Sequence, residues 1–257
     1  MSFNIIEKRL EKNRFETSIL LPIRRDKKVF RLLECLKKQK YKDFILLIAN
    51  DSKEPYLKKE DFPDEINFIY FHTPEEKYST FDKLNFLAEN IKTPFTAITE
   101  SDCEPSPEWL EEIIPLVKKE KTVIKGCEAR PVGCCTANLA FPSKILKDNK
   151  FDVDAPIVAD YEWGMNLEKK GYKVKIFNDR GLVFHNLIIN KPRLNRIIPC
   201  AKDDVYISFK YKDPKFLFRK ILRNGYNVFV GITQILLYLF IFIPYFYSKY
   251  LIKKIKK

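Results

Sequence analysis

The sequence lacks a cysteine-based metal motif, a signal peptide and a glycine-rich phosphate loop. Its six cysteines show no C-x-x-C spacing, which excludes the usual zinc motifs and favours reduced thiols in a cytosolic domain. The first residues, MSFNIIEKRLEKNRFE, are too polar for a signal peptide, so we expect the globular part to stay in the cytosol. No glycine-rich loop bearing Lys or Arg lies near the N-terminus, which argues against a nucleotidyltransferase.

Low-complexity tracts and internal repeats are also missing, and the composition is that of a folded protein. Of the 257 residues, 46% are hydrophobic and 32% are charged. This length is sufficient for one domain of roughly 200 residues and a short appendage. The sequence therefore predicts a substantial hydrophobic core.

Acidic residues are almost absent from the C-terminal part of the chain. From Lys210 to the end there are eleven Lys and Arg against the single Asp213. The net charge of +13 is thus concentrated in this tail, which argues against a nucleic-acid-binding groove on the domain. A basic tail is typical of a segment on anionic lipid, where each basic residue contributes about 1 kcal/mol.

An uncharged stretch lies inside this basic tail. Residues Val228 to Tyr247, VFVGITQILLYLFIFIPYFY, carry no charge, and about 20 helical residues match the thickness of a bilayer. We predict a globular domain at 1–190, a basic juxtamembrane helical segment at 191–226, a transmembrane helix at 227–248 and a basic tail at 249–257. A buried core helix or an anchor lying in the membrane plane is the alternative.

Apolar runs alternate with amphipathic helical patterns in the first hundred residues. Strands are predicted at Thr17–Ile23, Phe44–Ala49, Ile66–Phe71 and Phe95–Thr99, with helices after Asp26 and over Thr80–Asn90. This order predicts an α/β fold with a mostly parallel sheet and helices on both faces. Ligands of such sheets bind where the parallel strands end.

Polar residues follow these strands directly. They are Arg24, Arg25, Asn50, Asp51, Glu100, Asp102 and Glu104. Glu100 and Asp102 would share a face of an extended segment and could hold Mg²⁺ or Mn²⁺. A turn followed by a helix cap is the simpler interpretation of these two acidic residues alone. Together, the three clusters predict a nucleotide and metal site.

The order of the motifs resembles family 2 glycosyltransferases of the GT-A fold, from about Thr17 to Asn186. The helix LLECLKKQKY is similar to the family's L-x-S-L-x-x-Q-x-Y, and TESDCEPSPEWL is similar to LDADCxPxPxWL. The residues Ile48 to Ser52 stand where the family has V-D-D-G-S. Further matches follow in the same order: the S-x-x-x-P strand end of Ser18 to Pro22, Lys83-Leu84-Asn85, the acceptor-side strand Gly133 to Phe141, Asp160 to Trp163 followed by LEKKGY, and the V-x-H of Val183 to His185.

The resemblance implies a role for each matching residue. Asp160 would be the general base of a single inverting displacement, with Glu162 and Trp163 on the acceptor side. Asp102 and His185 would bind Mn²⁺ or Mg²⁺. The residues implied for donor or nucleotide binding are Pro22, Arg24, Asn50, Asp51, Lys83, Asn85 and Glu100.

Three departures from the family pattern bear on activity. Glu100 replaces the usual Asp, Ala159 stands where the base motif has Glu, and the V-D-D-G-S turn lacks its Gly. A catalytically inactive protein that binds nucleotide sugars is therefore the alternative to a hexosyltransferase-like enzyme. No Q-x-x-R-W follows His185, which favours transfer of one sugar over processive synthesis.

The resemblance and the tail together predict the partners and the location. The partners would be a nucleotide-sugar donor, a glycan or lipid-linked acceptor and membrane lipid, but no nucleic acid. The protein would reside in the cell membrane with its catalytic domain on the cytoplasmic side.

Overall fold

The computed structural model describes residues 2–126, 136–156, 159–177, 182–185, 203, 206–208 and 210–211. The chain divides into two compact units. The first contains Met1–Val153 and Asp160–Ile188, and the second contains Asp154–Ala159 and Ile189–Lys257. In the second unit, the described residues between 203 and 211 are helical, with Ile207 fully buried.

The regular elements of the described residues alternate in the way that the sequence predicts. In chain order they are β1 (Asn4–Arg9), β2 (Thr17–Ile23), α1 (Val29–Lys37), β3 (Phe44–Asp51), a 3₁₀ turn (Lys59–Asp61), β4 (Phe68–Thr73), α2 (Thr80–Asn90), β5 (Phe95–Ile98), β6 (Cys103–Pro105), α3 (Trp109–Glu120), β7 (Val123–Gly126), β8 (Leu139–Pro142), α4 (Ser143–Asp148), α5 (Ala159–Lys169), β9 (Val174–Phe177) and β10 (Val183–His185).

The strands form one large sheet and one small ribbon. The order of the large sheet is β1-β4-β3-β2-β5-β8-β7-β9. Strands β2, β3, β4 and β5 are parallel, whereas β1 and β8 run antiparallel to their neighbours. The prediction of a mostly parallel α/β sheet is confirmed.

The central strands are apolar because both faces of the sheet are covered. Every residue of β2 and of β3 is buried. Helix α1 packs Val29, Leu32, Leu33 and Leu36 into the core. Helix α2 is capped by Ser79, whose hydroxyl accepts a hydrogen bond from the backbone N–H of Asp82 in a capping box.

The register of the parallel strands sets the positions of the polar residues. Ile23 lies beside Asn50, Asn50 lies beside His72, and Asp51 lies beside Thr73. The residues that follow β2 and β3 therefore emerge together at one edge of the sheet, which we call the carboxyl edge.

Pro22 lies within β2 at a position where the strand needs no backbone N–H for its hydrogen-bond ladder. It is buried beside Ala49 of β3, and the pairing of β2 with β5 has already ended at Leu20. A central strand accepts proline at such a position because the ladder on that side has ended. Pro22 thus shapes the end of β2.

The small ribbon joins two segments that are far apart in the sequence. Strand β6 pairs antiparallel with β10, so that Val183 lies beside Pro105 and His185 lies beside Cys103. The backbone N–H of Ser106 also donates to the carbonyl oxygen of Leu182 at 2.7 Å.

The predicted membrane segment lies outside the described residues. Within the described ranges, no helix has both the length and the apolar character needed to cross a bilayer. The stretch 227–248 and its flanks at 212–226 and 249–257 are not among those ranges.

Candidate active site

Asp51 is the centre of a buried charge cluster at the carboxyl edge. Its carboxylate is fully buried and accepts hydrogen bonds from Arg24 Nη2 at 2.5 Å and from Lys83 Nζ at 2.5 Å. Arg24 Nε and the backbone N–H of Tyr78 also donate to this carboxylate, each at 3.2 Å. We call Arg24, Asp51, Tyr78 and Lys83 the Asp51 cluster. It joins the loop after β2, the end of β3 and helix α2.

The pKa values of the two cations in this cluster shift in opposite directions, because Lys83 is buried and Arg24 is half-exposed. The hydrogen bond to Asp51 raises the pKa of Arg24. Burial lowers the pKa of Lys83, and the hydrogen bond to Asp51 opposes that effect. Lys83 also donates to the carbonyl oxygen of Ile23 at 3.1 Å, so it connects α2 to the end of β2.

Asn50 is a brace between loops, with its amide group buried. Its Nδ2 donates to the carbonyl oxygen of Arg24 at 2.8 Å. Its Oδ1 accepts from Tyr70 Oη at 2.8 Å, from Ser52 Oγ at 2.8 Å and from the backbone N–H of Tyr56 at 3.0 Å. The side chain therefore holds the loops after β2 and β3 in place.

Asn85, predicted to bind the donor, makes hydrogen bonds to the backbone of Phe151. Its Nδ2 donates to the carbonyl oxygen of Phe151 at 2.9 Å, and its Oδ1 accepts from the backbone N–H of Phe151 at 2.9 Å. Both polar atoms of the buried amide are thus used to fix the segment before α5 against α2.

Glu100 and Asp102 lie in a turn, and the predicted extended segment is wrong. Strand β5 ends at Ile98, and the backbone N–H of Cys103 donates to the carbonyl oxygen of Glu100 at 3.1 Å. A bond between residues three apart closes a β-turn, so the two carboxylates do not share a face by strand alternation. Both side chains are partly exposed at this turn.

The turn is fixed by neighbouring polar groups. Ser101 Oγ donates to Asp26 Oδ2 at 2.7 Å, which connects the turn to the loop after β2. Asp102 Oδ2 lies 3.9 Å from Lys28 Nζ, and Glu100 accepts a hydrogen bond from the hydroxyl of Thr136. The turn is therefore held in place on both sides.

His185 is next to this turn at the level of the backbone. The ribbon places it beside Cys103, which directly follows Asp102. Among the residues with described side chains, no group of three or more His, Cys, Asp and Glu converges as a metal site. The carboxylates of Glu100 and Asp102 supply oxygen atoms, the ligand type that Mg²⁺ and Mn²⁺ prefer.

Asp160 lies in the first turn of α5. The residue is partly exposed, and its Oδ1 accepts from the backbone N–H of Tyr161 at 2.8 Å. Helix α5 ends four residues before β9, which runs parallel to β7. The start of α5 is therefore directed toward the carboxyl edge.

Glu162 and Trp163, predicted on the acceptor side, are both buried. Glu162 is 1% exposed, and Trp163 is fully buried against Phe141 and Phe151. The indole N–H of Trp163 donates to the carbonyl oxygen of Asn149 at 2.5 Å. Trp163 is therefore a core residue, with no exposed ring face for a sugar.

Several residues of this edge were not predicted from the sequence. Tyr78 and Thr136 lie in loops without a motif, and only the fold brings them to the site. Lys28 and Asp26 belong to the charged run RRDKK after β2, and this run is the sequence feature that could have indicated them as site residues. Burial raises the pKa of Cys103, so this thiol remains protonated beside the turn.

Comparison with sequence families gives one match that covers most of the chain. The profile described as "Glycosyl transferase family 2" matches residues 18–196. This range includes the Asp51 cluster, the turn at Asp102, the first turn of α5 and the ribbon. No curated protein matches the chain significantly in sequence.

Solved structures share the fold. The structure of S. aureus TarS is similar with a TM-score of 0.59 and 14% identity, over 77% of this chain and 40% of that one. A form described as TarS 1-349 in complex with UDP-GlcNAc has a TM-score of 0.54 and 13% identity, over 77% and 67%. The mannosyltransferase PcManGT from Pyrobaculum calidifontis, in complex with GDP-Man and Mn²⁺, has a TM-score of 0.59 and 13% identity, over 86% and 74%. This chain spans less than half of the longest of these proteins.

Proposed function

The chain belongs to glycosyl transferase family 2, and on that premise we propose that it transfers one sugar from a nucleotide-diphosphate sugar to an acceptor hydroxyl. The acceptor would be a glycan or a lipid-linked glycan. The observation that supports this proposal is the arrangement at the carboxyl edge. The Asp51 cluster lies at the ends of β2 and β3, the turn carrying Asp102 follows β5, and Asp160 lies in the first turn of α5.

The donor side must accommodate a charged diphosphate as it leaves. Mg²⁺ or Mn²⁺, when bound, neutralises negative charge on the leaving nucleoside diphosphate. Asp102 would hold the cation, with Glu100 and His185 as its neighbours in the turn and the ribbon. Lys28, whose ammonium lies 3.9 Å from Asp102, adds positive charge on the same side. These residues orient the donor so that its anomeric carbon is open to the acceptor.

The acceptor hydroxyl needs a base because it is only weakly acidic. In the proposed step its oxygen attacks the anomeric carbon on the face opposite the diphosphate. The bond from that carbon to the phosphate oxygen breaks, and the hydroxyl proton passes to the Asp160 carboxylate. The sugar is therefore transferred with inversion. Asp160 suits this role because it is partly exposed and lies in the first turn of α5.

Asp160→Asn tests the base directly. Asn keeps the shape of the side chain but cannot accept a proton, so transfer should fall by about 10²- to 10⁴-fold. Binding of the donor, measured by calorimetry, should be unchanged because Asp160 is assigned to the acceptor side. Glu168→Gln, at the exposed far end of α5, is the matched control and should keep full turnover.

Two results would require a different assignment. If Asp160→Asn keeps near-full turnover while Glu162→Gln is inactive, the buried Glu162 is the base. If neither substitution changes turnover, the inverting mechanism is wrong.

A protein that binds nucleotide sugars without transferring them is the second candidate. It is favoured by Ala159, which is fully buried at the position where the family's base motif has Glu. A donor titration that shows binding, together with no sugar transfer to any acceptor fraction, would support this candidate over the enzyme.

We further propose that the basic tail places the protein at the cytoplasmic face of the cell membrane. The support is the uncharged stretch Val228 to Tyr247 with basic residues on both sides. The full-length protein should sediment with membranes and resist carbonate extraction, whereas a chain ending at Gly225 should not sediment. Full-length protein that remains in the supernatant without detergent would contradict the proposal.

A further inference from the structure

A groove with a volume of about 420 Å³ lies at the amino edge of the sheet, the edge where the parallel strands begin. Phe95 and Pro142 pair where β5 begins and β8 ends, which places the groove at this edge. It is thus at the opposite end of the strands from the candidate active site. We call this surface the lysine groove, and its main lining residues are Phe95, Pro142, Tyr172, Lys118, Lys121 and Lys144.

Two of the three lysines in the lysine groove are not neutralised by a neighbouring acid. Lys118 donates to Glu16 Oε2 at 2.7 Å. Lys121 and Lys144 are exposed, and neither forms an ion pair with any side chain that the structure describes. A partner that fits this surface therefore supplies negative charge together with some apolar area.

The backbone at Lys121 has a conformation that favours glycine. Its φ is 49°, in the left-handed region, and its N–H donates to the carbonyl oxygen of Val117 at 2.9 Å where helix α3 ends. Glycine adopts this conformation without the steric cost that a Cβ atom brings. The helix end therefore does not require a lysine, whereas the lysine groove gains a positive charge from it.

The same edge of the sheet carries the opposite charge just before β4. Residues 59–65, KEDFPDE, contain four acidic residues and one lysine, and they border an open hollow of about 520 Å³. We call these residues the acidic segment. Its Asp64 is 98% exposed, although one carboxylate oxygen lies 3.3 Å from Arg9 Nη2. Pro63 is partly exposed and supplies apolar area beside these charges.

The lysine groove and the acidic segment lie side by side. In the sheet order β4-β3-β2-β5, the starts of β4 and β5 are three strand spacings apart, which is about 14 Å. A two-fold axis that passes between two such surfaces places each of them on its counterpart in a second copy, so that the same contact is made twice. The opposite charges of the two surfaces then favour the pairing.

We propose that the lysine groove binds the acidic segment of a second copy of this chain, so that two copies form a two-fold dimer through their amino edges. The carboxyl edges of both copies lie away from this interface and stay open to their ligands. This inference goes beyond the proposed function and does not depend on sugar transfer.

Gel filtration with light scattering, run on the full-length protein in a neutral detergent over a range of protein concentrations, measures the dissociation constant of the dimer. The wild-type dimer should weaken as the salt concentration rises, because salt screens exposed charge pairs. Lys121→Glu with Lys144→Glu should weaken it at least about tenfold, since like charges then face one another. Glu60→Lys with Asp64→Lys should do the same. A chain that carries all four substitutions should regain the wild-type dissociation constant to within about threefold, because its charges are complementary again.

Two control variants separate docking from general effects of charge and folding. Lys53→Glu with Lys119→Glu reverses two exposed charges outside both surfaces and should leave the dimer unchanged. Lys121→Gly removes the charge but suits the left-handed backbone, so it should weaken the dimer without lowering the melting temperature of the dilute monomer. Circular dichroism of each variant verifies that the fold is retained.

Three results would overturn the inference. The first is a wild type that stays monomeric at every concentration, and the second is a dimer that neither pair of charge reversals weakens. The third is a chain with all four substitutions that dimerises no better than either pair alone, because the two surfaces then do not meet. Sugar transfer is measured separately, so its absence would count against the proposed function and leave the dimer standing.

Discussion

Removing the side chain of Asp51 should destabilise the protein far more than removing that of Arg24. Asp51 forms a buried ion pair with Lys83, whereas the side chain of Arg24 is half-exposed. Lys83 is 4% exposed, and its ammonium donates to Asp51 Oδ1 at 2.5 Å and to the carbonyl oxygen of Ile23 at 3.1 Å. Asp51→Ala removes the first of these two acceptors, so the buried ammonium of Lys83 keeps only the neutral carbonyl oxygen of Ile23. Breaking a buried ion pair from one side costs about 3–5 kcal/mol. For a domain of this size that corresponds to about 6–20 °C in melting temperature.

The cost should depend on pH in a defined direction. Burial lowers the pKa of Lys83, and Asp51 opposes the effect, so the pKa should fall further in Asp51→Ala. Between the folded pKa and the unfolded value of about 10.4, the unfolded state binds more protons than the folded state. The free energy of unfolding of the variant should therefore rise relative to wild type as the pH increases from 7 toward 10.

Urea denaturation of the full-length protein at pH 7 and at pH 9.5 measures both effects. Arg24→Ala is the control, since its half-exposed guanidinium should contribute less than about 1 kcal/mol. The double variant Asp51→Ala with Lys83→Met should recover most of the loss, because apolar replacement of a buried pair is often neutral. The reasoning is refuted if Asp51→Ala costs no more than Arg24→Ala, or if the double variant shows the sum of the single losses.

Three further predictions concern the buried amide of Asn85, the buried phenol of Tyr70 and the proposed metal ligand Asp102. Asn85→Ala should cost about 1–3 kcal/mol in denaturant unfolding, because it leaves two buried backbone groups of Phe151 unpaired, while nucleotide affinity stays the same. Burial raises the pKa of Tyr70 to about 12. Its contribution to stability is therefore complete below the unfolded value of about 10 and is lost as the pH rises toward 12, so Tyr70→Phe should flatten the alkaline fall in melting temperature. Asp102→Ala should abolish Mn²⁺-dependent donor binding, and Glu100→Asp should be tolerated better than Asp102→Asn. Equal donor affinity in EDTA and in Mn²⁺ would contradict the assignment of Asp102.

The parts of the fold that the sequence predicts are those with strong local signals. Strands β2, β3 and β5 are buried over nearly all of their length, so each appears in the sequence as a mainly apolar run. Helix α2 begins and ends where its capping residue and its pattern place it. Strand β1 was missed because it is an edge strand, exposed and rich in charge, that pairs only with β4.

The sequence predicts where several polar residues of the candidate site lie, but not which groups they contact. The motifs placed Asp51, Asp102 and Asp160 near the ends of strands and at a helix start, where the structure has them. The partners of Asp51 were not visible, because Arg24 and Lys83 are 27 and 32 residues away in the sequence. A motif shows which residue type recurs at a position. The hydrogen-bond partners of a carboxylate such as Asp51 depend on contacts between segments that are distant in the sequence, and a motif does not show those.

The order of the strands also has a consequence for how the chain is made on the ribosome. Strands β1 to β5 occupy five adjoining places in the sheet, and all come from residues 4–98. During synthesis at about 5–20 residues per second, this part can pair before β8 emerges to cover the open side of β5. Ribosome-bound chains arrested shortly after residue 98 has left the exit tunnel should already resist proteolysis over 17–98. The ribbon closes only once His185 has been added, so the turn that carries Asp102 gains this neighbouring strand late in synthesis.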